Sequence, residues 1–218
     1  MFSGYKEAVR DHRFELAQNR VYSEVSPGKR RMRITGVKSK GRILFTPKGM
    51  DMRPSSDRVR EAVFSILGQD LSGTAVLDLF SGTGSLGLEA LSRSGRFAVF
   101  IDKALRAIET AKKNLAVCGY QQAGTVLRRD LRKGLPLNHP AMQHRFDLIF
   151  MDPPYGKNLL LPLAEKILAA DILSLGARVV MESSKTEQLP HRIGNLQLVE
   201  DRIYGDTRIH IFSCEVLS

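Results

Sequence analysis

The residues with the plainest chemistry are Asp152-Pro153-Pro154-Tyr155, reached directly from the apolar run Phe146-Asp147-Leu148-Ile149-Phe150-Met151. Two successive prolines remove two amide donors and stiffen the backbone. Asp152 and the Pro153 carbonyl thus become a fixed pair of acceptors with no N–H beside them. Such a pair suits the two hydrogens of an exocyclic amine on a planar base. It orients the nitrogen lone pair towards a methyl donor and offsets the charge that builds on nitrogen as the C–N bond forms. Tyr155 adds a face on which an unstacked base can lie. Asp152, Pro153, Pro154 and Tyr155 are therefore the candidate catalytic residues. Alone, they leave guanine or adenine, and RNA or DNA, open.

A second constellation lies upstream. Gly82-Thr83-Gly84-Ser85-Leu86-Gly87 spells G-x-G-x-x-G between an apolar strand and a helix, the pattern of a dinucleotide-binding turn. Asp78, four positions before the first glycine, argues for another ligand, because a carboxylate repels a pyrophosphate and attracts an ammonium or sulfonium. S-adenosylmethionine, cationic and free of phosphate, fits that polarity better than NAD, and the glycines let the backbone approach a ligand closely. Asp102, followed by Lys103, stands about twenty residues beyond the turn, where either cofactor presents ribose hydroxyls; it reads equally as an N-cap for a helix from Ala104. Asp130-Leu131 offers an acceptor and an amide to an adenine edge, or is a solvated acid in a basic loop. The candidate cofactor residues are Asp78, Phe80, Ser81, Gly82, Thr83, Gly84, Gly87, Asp102, Lys103, Asp130 and Leu131.

These residues need strand ends and helix starts to hold them, and the chain supplies both in alternation. Strands are expected at Ala75 to Leu79, Phe97 to Ile101, Thr125 to Arg128, Phe146 to Met151 and Ala177 to Glu182. Helices are expected at Leu86 to Ser92, Ala104 to Val117 and about Leu159 to Ala169. Two final strands, Leu196 to Tyr204 and Thr207 to Glu215, turn at Gly205-Asp206. The alternation predicts a Rossmann-like α/β domain, a mostly parallel seven-stranded sheet with helices on both faces and a C-terminal antiparallel hairpin, binding ligands at the carboxyl ends of its strands. Ahead of it, Met32 to Phe45 alternates as a small β-hairpin with a basic turn at Lys38 to Arg42, and Arg53 to Asp57 starts a helix ending at Gly68. Three units follow: 1–31 as a basic, mobile extension with an amphipathic helix over 5–18, 32–72 as a nucleic-acid-binding hairpin and helix, and 73–218 as the catalytic domain.

Charge agrees with that division. The 218 residues carry 33 Lys plus Arg against 23 Asp plus Glu, and almost all of the +10 excess falls within the first sixty residues. A cationic segment on a neutral body suits a polyanionic partner, through release of condensed counterions. Arg33, Lys38, Lys40, Arg42, Arg53, Arg58 and Arg60 are the candidate nucleic-acid contacts. Cys118 and Cys214 have neither disulfide-framework nor zinc-site spacing, and His12, His139, His144, His191 and His210 form no ligand pattern; no metal is expected. No stretch is long and apolar enough for a membrane helix, and the N-terminus has acids among its basic residues, so a cytoplasmic setting is expected.

Taken together, these motifs resemble the RsmD-type family of class I S-adenosylmethionine-dependent methyltransferases, bacterial enzymes that methylate guanine N2 in 16S ribosomal RNA. The resemblance rests on Met32-Arg33-Ile34 with Gly36 and Lys40-Gly41-Arg42, on Arg53 to Phe64, on Asp78 to Arg93, on Asp152 to Tyr155 and on Glu182-Ser183, and spans about 32–213. It implies S-adenosylmethionine as cofactor, with Asp78, Gly82, Gly84 and Asp102 lining its site, and Asp152 to Tyr155 holding the base. It also implies 16S RNA or the small ribosomal subunit as partner of a monomer, met by the basic hairpin with Arg53, Arg58 and Arg60. The family more often has Glu at 102 and Ala at 81, and 1–30 has no counterpart in it.

Overall fold

A computed structural model describes residues 32–47 and 55–215. The extension 1–31, its expected helix, and Arg53 lie outside the described residues. The elements run in the order α1 (Ser55–Leu67), β1 (Ala75–Leu79), α2 (Ser85–Ser92), β2 (Phe97–Asp102), α3 (Leu105–Cys118), β3 (Gly124–Arg128) and β4 (Phe146–Met151). They continue with α4 (Leu160–Ala169), β5 (Leu173–Ser184), β6 (Arg192–Ile193), β7 (Leu196–Tyr204) and β8 (Thr207–Cys214). They build one sheet in the order β3-β2-β1-β4-β5-β8-β7-β6. The first five strands are parallel, and β8 joins β5 antiparallel. The chain leaves β1 on one side for β2 and returns on the other as β4, so the two strand tips flank the point where open α/β sheets bind ligands.

The strand sequences are apolar on both faces because both faces are covered. Leu77, Leu79, Ile149, Met151, Val179 and Met181 pack on one side, with Leu163, Ala164 and Ile167 of α4. Val76, Phe150 and Val180 point to the other, where Val59, Val63, Phe64 and Leu67 of α1 join α2 and α3. Each of those α1 side chains is fully buried or nearly so, worth about 1.5–3 kcal/mol apiece in transfer from water. Phe64 meets Phe150 at 5.7 Å between ring centroids. Met32, Ile34 and Leu44 enter the same core, so residues 32–47 pack on the same side of the sheet as α1.

One expectation changes. The sheet has eight strands, not seven; β6, two residues paired with Leu196 and Gln197, is too short to leave a periodic signal. The hairpin over Met32 to Phe45 is present but short: its arms pair antiparallel at Arg33 and Ile43, with the Ile34 N–H donating to the Arg42 carbonyl at 3.0 Å and the Leu44 N–H to the Met32 carbonyl at 2.9 Å, around a 3-10 turn at Val37–Ser39. Tertiary contacts hold its turn: Ser92 Oγ accepts the Ser39 N–H at 3.0 Å, and a Cβ on Gly36 would lie 2.8 Å from that same serine's Cβ.

Candidate active site

The chemistry-bearing residues converge on the carboxyl ends of β1, β2, β4 and β5. After Leu79 the chain turns through Phe80, whose positive φ of 60° is unusual for a bulky residue. The loop then enters α2 through Gly84, at φ 78°. Beyond β2, Asp102 is not the N-cap of α3, which is Ala104. Its Oδ2 accepts the Gly82 N–H at 3.0 Å and its Oδ1 the Ala104 N–H at 2.8 Å, fastening the glycine loop to the next strand tip.

A cleft of about 530 Å³ opens beside this loop, bounded by Phe80, Asp102, Lys103, Asp130, Leu131, Asp152, Pro153 and Pro154. That volume suits a nucleoside-sized ligand. Its wall mixes apolar side chains with three carboxylates and four basic residues, and Arg132 is paired with Asp130, which leaves Asp102 and Asp152 as the acids at the tips of β2 and β4. Ser81, on the loop next to Phe80, does not itself line the cleft; its Oγ is buried with no hydrogen-bond partner among the described residues. These features fit S-adenosylmethionine. Asp130 is held well below the usual carboxylate range by the Arg132 side chain, and accepts the Arg132 N–H at 3.1 Å.

Several expected cofactor residues stand behind the loop, outside the lining of the cleft. Asp78 is 2% exposed and its Oδ2 accepts the Gly87 N–H at 3.0 Å. Burial pushes its carboxyl up to about 8, the Gly87 hydrogen bond opposing and Asp102 adding to the rise. Thr83 turns inward, its carbonyl accepting from Asn114 at 2.9 Å. Gly84 and Gly87 press on the Phe100 ring, and a Cβ on Gly87 would fall 2.4 Å from Phe100 Cε1. Their role is to let α2 sit close to β2. Sequence reasoning missed Arg129, Arg132, Lys157 and Leu159 on the cleft wall; the first two flank Asp130-Leu131, the signal that could have found them.

On the far side of Asp152 lies a second, smaller pocket between the sheet and α1. Phe150, Val180 and Ile209 form its floor, Val59 and Val63 one wall, and Asp152 with Glu182 its polar end. Asp152 thus borders both spaces. Tyr155 donates its O–H to Glu182 Oε1 at 2.7 Å and lies 3.0 Å from Thr207 Oγ1, so the aromatic ring is tied to β5 and β8.

The basic residues divide. Arg33, Lys38, Lys40 and Arg58 are exposed. Arg42 is partly buried and donates to the Val117 carbonyl at 2.7 Å, capping the end of α3. Arg60, expected to face nucleic acid, is 3% exposed. It pairs with Asp57 at 3.1 Å and Glu89 at 3.6 Å and donates to the Arg33 carbonyl at 2.7 Å, so its charge is spent inside the fold. Among the described residues no helix is long and apolar enough to cross a membrane, and no group of His, Cys, Asp or Glu is arranged to hold a metal ion.

Comparison with known proteins identifies the family. Ribosomal RNA small subunit methyltransferase D of Escherichia coli (strain K12) is 30% identical over 192 residues, covering 86% of this chain and 92% of that protein. YlbH of Bacillus subtilis (strain 168) is 34% identical over 183 residues, 83% of this chain and 98% of that one. The solved structure of a hypothetical protein from Thermus thermophilus superposes with a TM-score of 0.68 at 31% identity, covering 85% of this chain and 99% of its own. An RNA methyltransferase from Salinibacter ruber in complex with S-adenosyl-L-homocysteine shares the fold, with a TM-score of 0.56 at 16% identity over 75% of this chain and 94% of its own. The family profile described as Conserved hypothetical protein 95 matches residues 32–213, and the chain therefore belongs to that family, the RsmD-type family its motifs resemble.

Proposed function

We propose that this chain transfers a methyl group from S-adenosylmethionine to the exocyclic N2 amine of a guanine in small-subunit ribosomal RNA, acting as a monomer in the cytoplasm. The observation that carries the reading is the position of Asp152, which borders the cofactor-sized cleft on one side and the smaller pocket under α1 on the other. A methyl donor in the first and an amine in the second would meet at its carboxylate. The relatives named as ribosomal RNA methyltransferases supply the substrate class.

The bound cofactor would supply a methyl group already activated on a sulfonium, so the protein's task is positioning. Phe80, Asp102, Lys103, Asp130 and Leu131 are the residues placed to hold it. The Asp152 carboxylate and the Pro153 carbonyl accept the two N–H bonds of the amine, which turns the nitrogen lone pair towards the cleft. As the C–N bond forms, positive charge develops on nitrogen and the carboxylate offsets it; one amine proton then leaves to solvent. Arg33, Lys38, Lys40 and Arg58 face outward and would neutralise RNA phosphates.

Asp152→Ala tests this reading. Methyl transfer to undermethylated small ribosomal subunits should fall by about 10²–10³-fold or more, with RNA binding nearly intact and N2-methylguanine as the wild-type product. Loss of RNA binding in step with turnover would refute the role given to Asp152.

A further inference from the structure

The proposed reading leaves one carboxylate of the pocket under α1 without a task. Glu182 stands on β5, the strand beside β4, and the last paired residues of the two are Met151 and Met181. Asp152 and Glu182 are each one residue further on and so lie side by side, Asp152 just past the tip of β4 and Glu182 still within β5, paired with Ile209 of β8. Alternation puts both on the face of Phe150 and Val180, and both line the pocket under α1. The tip of β4 therefore does not present one acceptor to the pocket but two, side by side, on neighbouring strands.

We infer that Glu182 selects guanine, by accepting the ring N1–H while Asp152 and the Pro153 carbonyl hold the neighbouring 2-amine. The inference rests on the N2-guanine reading above and adds the residue that enforces it. Guanine presents two adjacent donors on one edge, the exocyclic N2 amine and N1–H. Adenine presents its exocyclic N6 amine beside N1, which carries a lone pair. With the amine held at Asp152, guanine completes a charge-assisted hydrogen bond at Glu182, whereas adenine sets a lone pair against a carboxylate in a pocket floored by Phe150, Val180 and Ile209. A partly desolvated acceptor facing another acceptor is among the strongest means a site has of rejecting an analogue.

The carboxylate is also held in place. Tyr155 Oη donates to Glu182 Oε1 at 2.7 Å and is itself within 3.0 Å of Thr207 Oγ1 on β8. Tyr155 is thus a positioning residue for Glu182 as well as a surface for the base.

The test uses 2-aminopurine, which keeps the exocyclic 2-amine and replaces N1–H by a lone pair. Wild-type enzyme acting on undermethylated small subunits first locates the methylated guanine by mass spectrometry. Small-subunit RNA is then assembled with guanine or 2-aminopurine at that position, and kcat/KM is measured for each with wild-type enzyme and with Glu182→Gln. The Gln amide can turn its NH2 towards a ring lone pair. Wild type should prefer guanine by roughly 100-fold or more, and Glu182→Gln should narrow that preference at least about tenfold. Tyr155→Phe, which removes the hydroxyl and keeps the ring, should narrow it by a smaller factor and supplies the answer if the first variant does not fold. Affinity for S-adenosylmethionine, bound across Asp152, should stay at its wild-type value. Equal losses on both bases, or an unchanged preference, would overturn the inference while wild-type N2 methylation left the functional reading standing. Absence of N2-methylguanine from the wild-type reaction would overturn both.

Discussion

Asp78→Asn isolates the electrostatics beneath the glycine loop. In the folded protein the Asp78 carboxyl rises from its ordinary 3.8 to about 8, chiefly because burial penalises the charged form. An acid with a raised folded pKa holds one proton more in the native than in the unfolded state between the two values. Stability from this group is therefore fully present below about pH 4 and declines as pH rises towards 8. One proton corresponds to about 1.4 kcal/mol per pH unit, and the titration curve gives a loss of about 2 kcal/mol between pH 6 and 8. Asn mimics the neutral acid in shape, keeps an acceptor for the Gly87 N–H, and does not titrate. Urea denaturation of both proteins should show wild type losing about 2 kcal/mol relative to Asp78→Asn over that interval, with little further change above pH 9. Parallel stability curves would refute the account of Asp78.

The remaining predictions concern charge placed outside and inside the fold. Lys38→Ala combined with Lys40→Ala should lower the slope of log affinity for RNA against log salt by about 1.5, from two lost phosphate contacts, with cofactor affinity unchanged. Arg42→Ala should instead destabilise the fold by about 1–2 kcal/mol in urea, because its guanidinium caps α3; a salt-slope change as large as the lysine pair's would contradict that. Glu89→Gln should cost about 3 kcal/mol or more by the same assay, since it leaves Arg60 and Arg93 buried with a weakened counter-charge. A loss below about 1 kcal/mol would show that the network is solvated or dispensable.

The order of strands and helices was legible because periodicity and glycine punctuation act locally. β4 and β7 fall at the residues expected, and α1, α2 and α3 within one or two. The misses have tertiary causes. Gly176, at φ 73°, interrupts the sequence signal of β5, yet the strand continues through it back to Leu173 because β4 is there to pair with. In the site, the tips of β1, β2 and β4 could be found from Asp78, Asp102 and Asp152, but which carboxylate reaches the cleft could not. Asp78 and Asp102 read alike as acids after strands. Only the packing of Gly87 on Phe100 shows that the first is sealed under α2 while the second borders the opening. Likewise Arg58 and Arg60 are two basic residues in one helix, and the helical phase that buries Val59 and Val63 turns Arg60 inward with them.

That inward turn explains why the basic segment belongs to the catalytic body. Glu89 is fully buried on α2, the helix that begins at the glycine loop. Its carboxylate accepts the Thr35 N–H at 3.0 Å and the Arg93 guanidinium at 2.9 Å, and lies 3.6 Å from Arg60 of α1. Arg60 in turn donates to the Arg33 carbonyl. One anion therefore fastens the turn at residues 37–39, the helix over the pocket beside Asp152 and the helix behind the glycine loop. Taking these charges out of water costs several kcal/mol per ion unless every partner is in place, so the network holds in one arrangement or loses most of its worth. Lys38 and Lys40 are carried on that turn. These exposed lysines are therefore held, through Glu89 and Arg60, in a fixed relation to the pocket that Asp152 borders.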